Sequence, residues 1–89
     1  MRRKIMYVLA AFGSRTQVLE FIEQLRSRGI AARAVNTPSD AHIGCGISAE
    51  FPYEFTGFAR SVVQRYGLDS LKGFYLYERR GGRTAVRRI

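Results

Sequence analysis

One cysteine, Cys45, stands between two glycines in Gly44-Cys45-Gly46, after a polar loop and before a short apolar run. The flanking glycines remove side chains that would shield the sulfur, open backbone angles closed to other residues, and leave amide N–H groups that could face a thiolate. The thiolate is the reactive form of this side chain. Cys45 is therefore the first candidate for chemistry, with Gly44 and Gly46 supplying access and backbone amides. The competing account is packing, because a free cysteine is among the most buried residue types and behaves as a small hydrophobe.

His42 stands three residues before the cysteine. It could act as a base for Cys45, but no third group that would orient it can be named. The His-x-x-Cys spacing gives only two soft ligands where a structural zinc site needs four, so a metal would require a second copy of the chain. A loop histidine is the simpler account, and no metal is expected. Glu20 and Glu23 fall on the helix side away from Phe21 and Leu25, where solvated charge is ordinary. The glycines form neither a phosphate loop nor a dinucleotide fingerprint, so no cofactor is expected. Tyr7, Phe12, Phe51, Tyr53 and Tyr75 would suit an RNA-stacking sheet, yet apolar alternation assigns them to a core. The run Ile47-Ser48-Ala49-Glu50-Phe51 also carries an acid in place of an RNA-recognition signature.

The 89 residues fit a single domain spanning 1–89, with a compact body over about 4–78 and a basic hairpin or tail over 79–89. The formal charge of +8 is unevenly placed: eight of the fifteen basic residues are Arg2, Arg3, Lys4, Arg79, Arg80, Arg83, Arg87 and Arg88. Residues 5–78 hold the other seven against all seven acids, so the body is neutral. Solvated basic ends explain this pattern, and an anionic partner such as nucleic acid, held by Arg79, Arg80, Arg83, Arg87 and Arg88, is the alternative. No apolar run approaches the ~20 residues of a membrane span, and the Met-Arg-Arg-Lys start precedes no cleavage site, so a cytoplasmic protein without membrane contact is expected. A lone cysteine forms no internal disulfide; oxidation would give a mixed disulfide, a sulfur adduct or a covalent homo-oligomer.

Residues 4–12 read as a nearly continuous apolar strand suited to a central position. Ser14-Arg15-Thr16-Gln17 has capping-box spacing, and Val18, Phe21, Ile22 and Leu25 make the apolar stripe of a helix that Gly29 would end in a left-handed cap. Ile30–Val35 reads as a second strand with Arg33 toward water, and residues 37–44 as a loop. Ile47, Ala49 and Phe51 alternate with Ser48 and Glu50, predicting a third strand with one wet face. Pro52 would close it and open a second helix with Phe55, Phe58, Ala59, Val62 and Tyr66 in its stripe, ended by Gly67. Leu71–Glu78 is a fourth strand, and Gly81-Gly82 could turn the chain into a fifth at the sheet edge. The order predicts an α+β fold: a ferredoxin-like β-α-β-β-α-β sandwich, two helices on one face of an antiparallel sheet, with an extra C-terminal edge strand. The first and third strands would be central neighbours, placing Cys45 where strand one finishes and the first helix begins. A helix N-terminus nearby would favour a thiolate.

With Gly29-Ile30, Thr37-Pro38 and Cys45-Gly46 placed ahead of an alternating strand, residues 5–77 resemble the small selenium/sulfur carrier protein-like family. Ser39 stands where the family commonly has arginine, and His42, Ile43 and Gly44 where small hydroxyl residues are common. The resemblance implies a carrier and not a self-sufficient catalyst. It implies that the Cys45 thiolate takes up sulfur from a donor persulfide, or the corresponding selenium species, and yields it to an acceptor protein. The absence of a second cysteine fits transfer between partners. A regulatory or oligomerisation domain with a packed Cys45 is the further alternative.

Overall fold

The computed structural model describes residues 6–38, 43–80 and 83–89, with the side chains of 78–80 and 83–85 outside that description. The order is β1 (Tyr7–Phe12), α1 (Arg15–Ser27), β2 (Arg33–Asn36), β3 (Ile47–Pro52), a short 3-10 turn (Tyr53–Phe55), α2 (Thr56–Arg65), β4 (Leu71–Arg80) and β5 (Arg83–Arg88). The five strands form one sheet in the order β2-β3-β1-β4-β5, and every neighbouring pair is antiparallel. The first four strands keep the ferredoxin-like order, and β5 is the extra edge strand. Residues 4 and 5, expected in the first strand, lie outside the described residues.

β1 is buried from Val8 to Phe12, which is why its sequence is apolar without alternation. Val8, Ala10 and Phe12 join Ala49, Phe51, Phe74 and Leu76 under the helices to make the core. Phe21 of α1 is its hub: its ring centroid lies 5.3 Å from Phe12, 5.8 Å from Phe51 and 6.4 Å from Phe74. One helical side chain thus touches a phenylalanine from each of the three central strands, in the tilted and edge-on geometries that favour aromatic pairs.

The capping box is half formed. Ser14 Oγ accepts from the Gln17 N–H at 3.3 Å, but the Gln17 side chain does not return to Ser14. Instead Gln17 Oε1 accepts from the Ser70 N–H at 2.9 Å and the Ser70 hydroxyl at 2.6 Å, while its Nε2 donates to Asp69 at 2.9 Å. The Ser14 N–H donates to Ser70 Oγ at 3.1 Å. The start of α1 is therefore tied to the turn before β4, and the orphan donor is satisfied across the fold.

Four expectations need correcting. β2 covers Arg33–Asn36 and not Ile30–Val35, because Ile30 belongs to the cap of α1: its N–H donates to Leu25 O at 3.1 Å and the Gly29 N–H donates to Arg26 O at 3.0 Å. That pairing closes the helix and buries Ile30 against it. Leu68 repeats the device after α2 through Val63 O, which leaves Tyr66 at the cap and exposed, not in the apolar stripe. Pro52 ends β3 and leads into the 3-10 turn, and α2 begins only at Thr56. Finally, Ser48 and Glu50 do not face water; they are 0% and 8% exposed. Pro38 and Ile43 from the β2–β3 loop gather with Leu9, Ala11, Ser48 and Tyr75 around one small hollow on the face opposite the helices, so part of that face is covered.

Of the aromatic residues considered for stacking, Phe12 and Phe51 are fully buried, Tyr7 and Tyr75 are half-buried, and Tyr53 is exposed. Glu20 and Glu23 are exposed, as the helix pattern requires.

Candidate functional site

Three hydrogen bonds build the turn that holds Cys45. The Cys45 N–H donates to the Phe12 carbonyl at 3.0 Å, and the Thr37 N–H donates to the Gly46 carbonyl at 2.9 Å. Thr37 Oγ1 and Ser48 Oγ share a third at 2.6 Å. The loop leaving β2 is thereby closed at its neck before the chain enters β3, and the cysteine is pinned to the last residue of β1. Phe12 lies two residues before the N-cap Ser14, so the thiol occupies the sheet end from which α1 departs.

The two glycines do different things. Gly44 has a φ of 71°, and a Cβ there would lie 2.6 Å from the Phe12 carbonyl oxygen, so both the angle and the close approach demand glycine. Gly46 has a φ of 94° but open space around the position of a Cβ, so only the angle demands it.

Cys45 itself is half-buried. It packs on the margin of the core, and Sγ lies 3.6 Å from the Ile47 carbonyl, to which the S–H can donate. The residue is thus neither fully buried nor fully exposed, and its side chain packs against the core. Its own backbone N–H is committed to Phe12 and does not face it.

His42 lies outside the described residues. Arg79 and Arg80 in β4 and Arg83 in β5 flank the two-residue connection of the hairpin, with Arg80 paired to Arg83 in register. Arg87 and Arg88 are exposed at the other end of β5. They pair with Leu76 and Tyr75, which sit on opposite faces, so the register spreads these five arginines over both ends of the hairpin and divides the last two between faces. Among the described residues, no group of three or more His, Cys, Asp or Glu side chains gathers at metal-binding spacing. No described helix is long and apolar enough to cross a membrane.

Thr37 and Ser48 are the residues at this site whose part sequence reasoning missed. Thr37 was legible beside Pro38 as a turn former, but Ser48 read as a wet strand position, and only strand pairing brings the two hydroxyls together.

A ferredoxin-like α+β sandwich, extended by one edge strand and carrying one half-buried cysteine beside the end of its central strand, is the class of domain these observations define. The family model described as putative Se/S carrier protein-like matches residues 7–75, from the start of β1 into β4, and the chain belongs to that family. The matched span contains Cys45, both flanking glycines and the Thr37–Ser48 neck, and excludes β5. Comparison with curated proteins and with solved structures finds no match.

Proposed function

We propose that this protein is a cytoplasmic sulfur or selenium carrier, with Cys45 bearing the transferred atom between a donor protein and an acceptor protein. The observation that carries the reading is the position of the lone cysteine: half-buried, in a glycine-flanked turn pinned to Phe12, within the span that matches the carrier family.

In the uptake step the Cys45 thiolate attacks the terminal sulfur of a donor persulfide. A new S–S bond forms at Sγ, the donor's S–S bond breaks, and the donor leaves as its thiolate. Cys45 then carries a persulfide, and no external oxidant or reductant is consumed. Delivery is the same exchange in reverse, with an acceptor thiolate attacking the outer sulfur and Cys45 leaving as thiolate. The chain has no second cysteine, so nothing within it resolves the adduct. Gly44 and Gly46 keep bulky side chains away from the approaching partner. A reducing compartment keeps the resting thiol free.

Intact-mass measurement after incubation with a cysteine desulfurase and cysteine tests this. Wild-type protein gains one sulfur, about 32 Da, that a thiol reductant removes, and Cys45→Ser gains nothing. An unchanged wild-type mass would remove the thiol from any sulfur relay.

A further inference from the structure

At the opposite end of β1 from the thiol, where the end of α1 leads into β2, lies a cleft of about 460 Å³, within the size range of small-molecule sites. Tyr7 and Tyr77 lie directly opposite one another on β1 and β4 and line it together. Both are half-buried, so their rings form part of the wall. Cross-strand neighbours on one face stand side by side, so two aromatic side chains border the cleft together.

The cleft also holds two arginines, Arg26 from the last turn of α1 and Arg33 from β2, both exposed. Arg33 is held in place: its Nε donates to Glu50 Oε1 at 2.9 Å, and Glu50 is 8% exposed. The ion pair uses Nε alone and leaves the two terminal nitrogens, a fork suited to two oxygens of one anion. Arg26 makes no ion pair among the described residues. One carboxylate against two guanidiniums leaves the cleft with net positive charge beside an aromatic surface.

We propose that this cleft is a binding site for a free mononucleotide, its planar base against the Tyr7 and Tyr77 side chains and its phosphate between Arg33 and Arg26. Stacking on aromatic faces accepts any base, and paired arginines match phosphate geometry. The five residues of β1 beyond Tyr7 separate this site from the Phe12 anchor of the thiol by about 17 Å along the strand. The site is thus independent of the carrier chemistry, and its test is independent too.

Titration of the full chain with AMP, followed by amide resonances in two-dimensional NMR, tests it, with adenosine, inorganic phosphate and a short single-stranded RNA as comparison ligands. AMP should saturably shift the resonances of Tyr7, Arg33, Tyr77 and Ala31, the last of which also lines the cleft, leave those around Cys45 in place, and bind about tenfold or more tightly than adenosine or phosphate alone. Arg26→Gln and Tyr77→Leu, each with an otherwise unchanged spectrum, should each weaken AMP by a similar factor. The proposal is overturned if AMP gives no saturable shifts at the cleft, if phosphate alone binds as well as AMP, if only the RNA binds, or if both variants bind AMP like the wild type.

Discussion

Gly44 and Gly46 border the same sulfur, yet replacing them should have unequal consequences. Gly44→Ala forces a Cβ to 2.6 Å from the Phe12 carbonyl oxygen and also strains φ, so the Cys45–Phe12 hydrogen bond must give way. A loss of roughly 3 kcal/mol in urea unfolding is expected, with faster reaction of the released thiol toward a disulfide reagent. Gly46→Ala meets only the angle, and about 1 kcal/mol should be lost. Equal losses would show that the Gly44 contact relaxes freely. Arg33 gives a second prediction at this scale. Its hydrogen bond to Glu50, and then the Glu50 charge, raise the guanidinium above the ordinary arginine value. A raised value means the contribution to stability is fully present below the ordinary arginine pKa and is lost only as pH rises through the raised one. The difference in melting temperature between wild type and Arg33→Gln should therefore stay constant from neutral into mildly alkaline pH; a difference that shrinks there would mean the pair is not what holds Arg33.

Among the elements, α1 is held at its N-terminal end by side chains that reach across the fold. Gln17 joins it to the Asp69–Ser70 turn through three hydrogen bonds, two of them to Ser70. Gln17→Ala should cost about 1–2 kcal/mol, because the Ser70 N–H loses its partner in a half-buried position. Ser14→Ala should cost about 1 kcal/mol as a lost cap. The two share Ser70, so the double variant should lose less than the sum, and strict additivity in a double-mutant cycle would show that they act separately. Phe21 binds the helix to the sheet through three aromatic partners, and Phe21→Ala should cost about 3–5 kcal/mol in the same assay.

For the whole molecule, the informative element is the one outside the family span. β5 pairs with β4 from Tyr75 to Arg80, so the basic segment forms the expected extra edge strand of the sheet. Ile89 extends that attachment: its N–H donates to Phe74 O at 2.9 Å, and Arg60 of α2 reaches its carbonyl at 3.4 Å while stacking over the Phe74 ring at 4.8 Å. Removing residues 83–89 would leave one side of the ten-residue β4 unpaired. An exposed edge of that length invites pairing with another copy, so the truncated chain should shift to higher mass with concentration in light scattering while the full chain does not. A truncated chain that stays monomeric would show that β5 does not guard that edge.

The sequence by itself determined the element order, the unbroken apolar character of β1, the apolar stripe and N-cap of α1, and the return of the chain from β4 into β5, whereas the place of Cys45 beside the end of β1 followed only from the ferredoxin-like strand order. Each of the former rests on signals a few residues apart, such as helical spacing, a cap residue, a glycine stop or an unbroken apolar run, and neighbours along the chain remain neighbours whatever the fold. Tertiary structure alone decided that Gln17 serves Ser70 and not Ser14, that Ser48 and Glu50 are covered, that Thr37 closes the loop onto Ser48, and that Tyr7, Tyr77, Arg26 and Arg33 share a cleft. Those contacts join residues separated by eleven to seventy positions in the chain, as Thr37 to Ser48 and Tyr7 to Tyr77 show. Which side chains meet at such separations is set by strand order and register, and the pairing of strands is a global choice that no local pattern encodes.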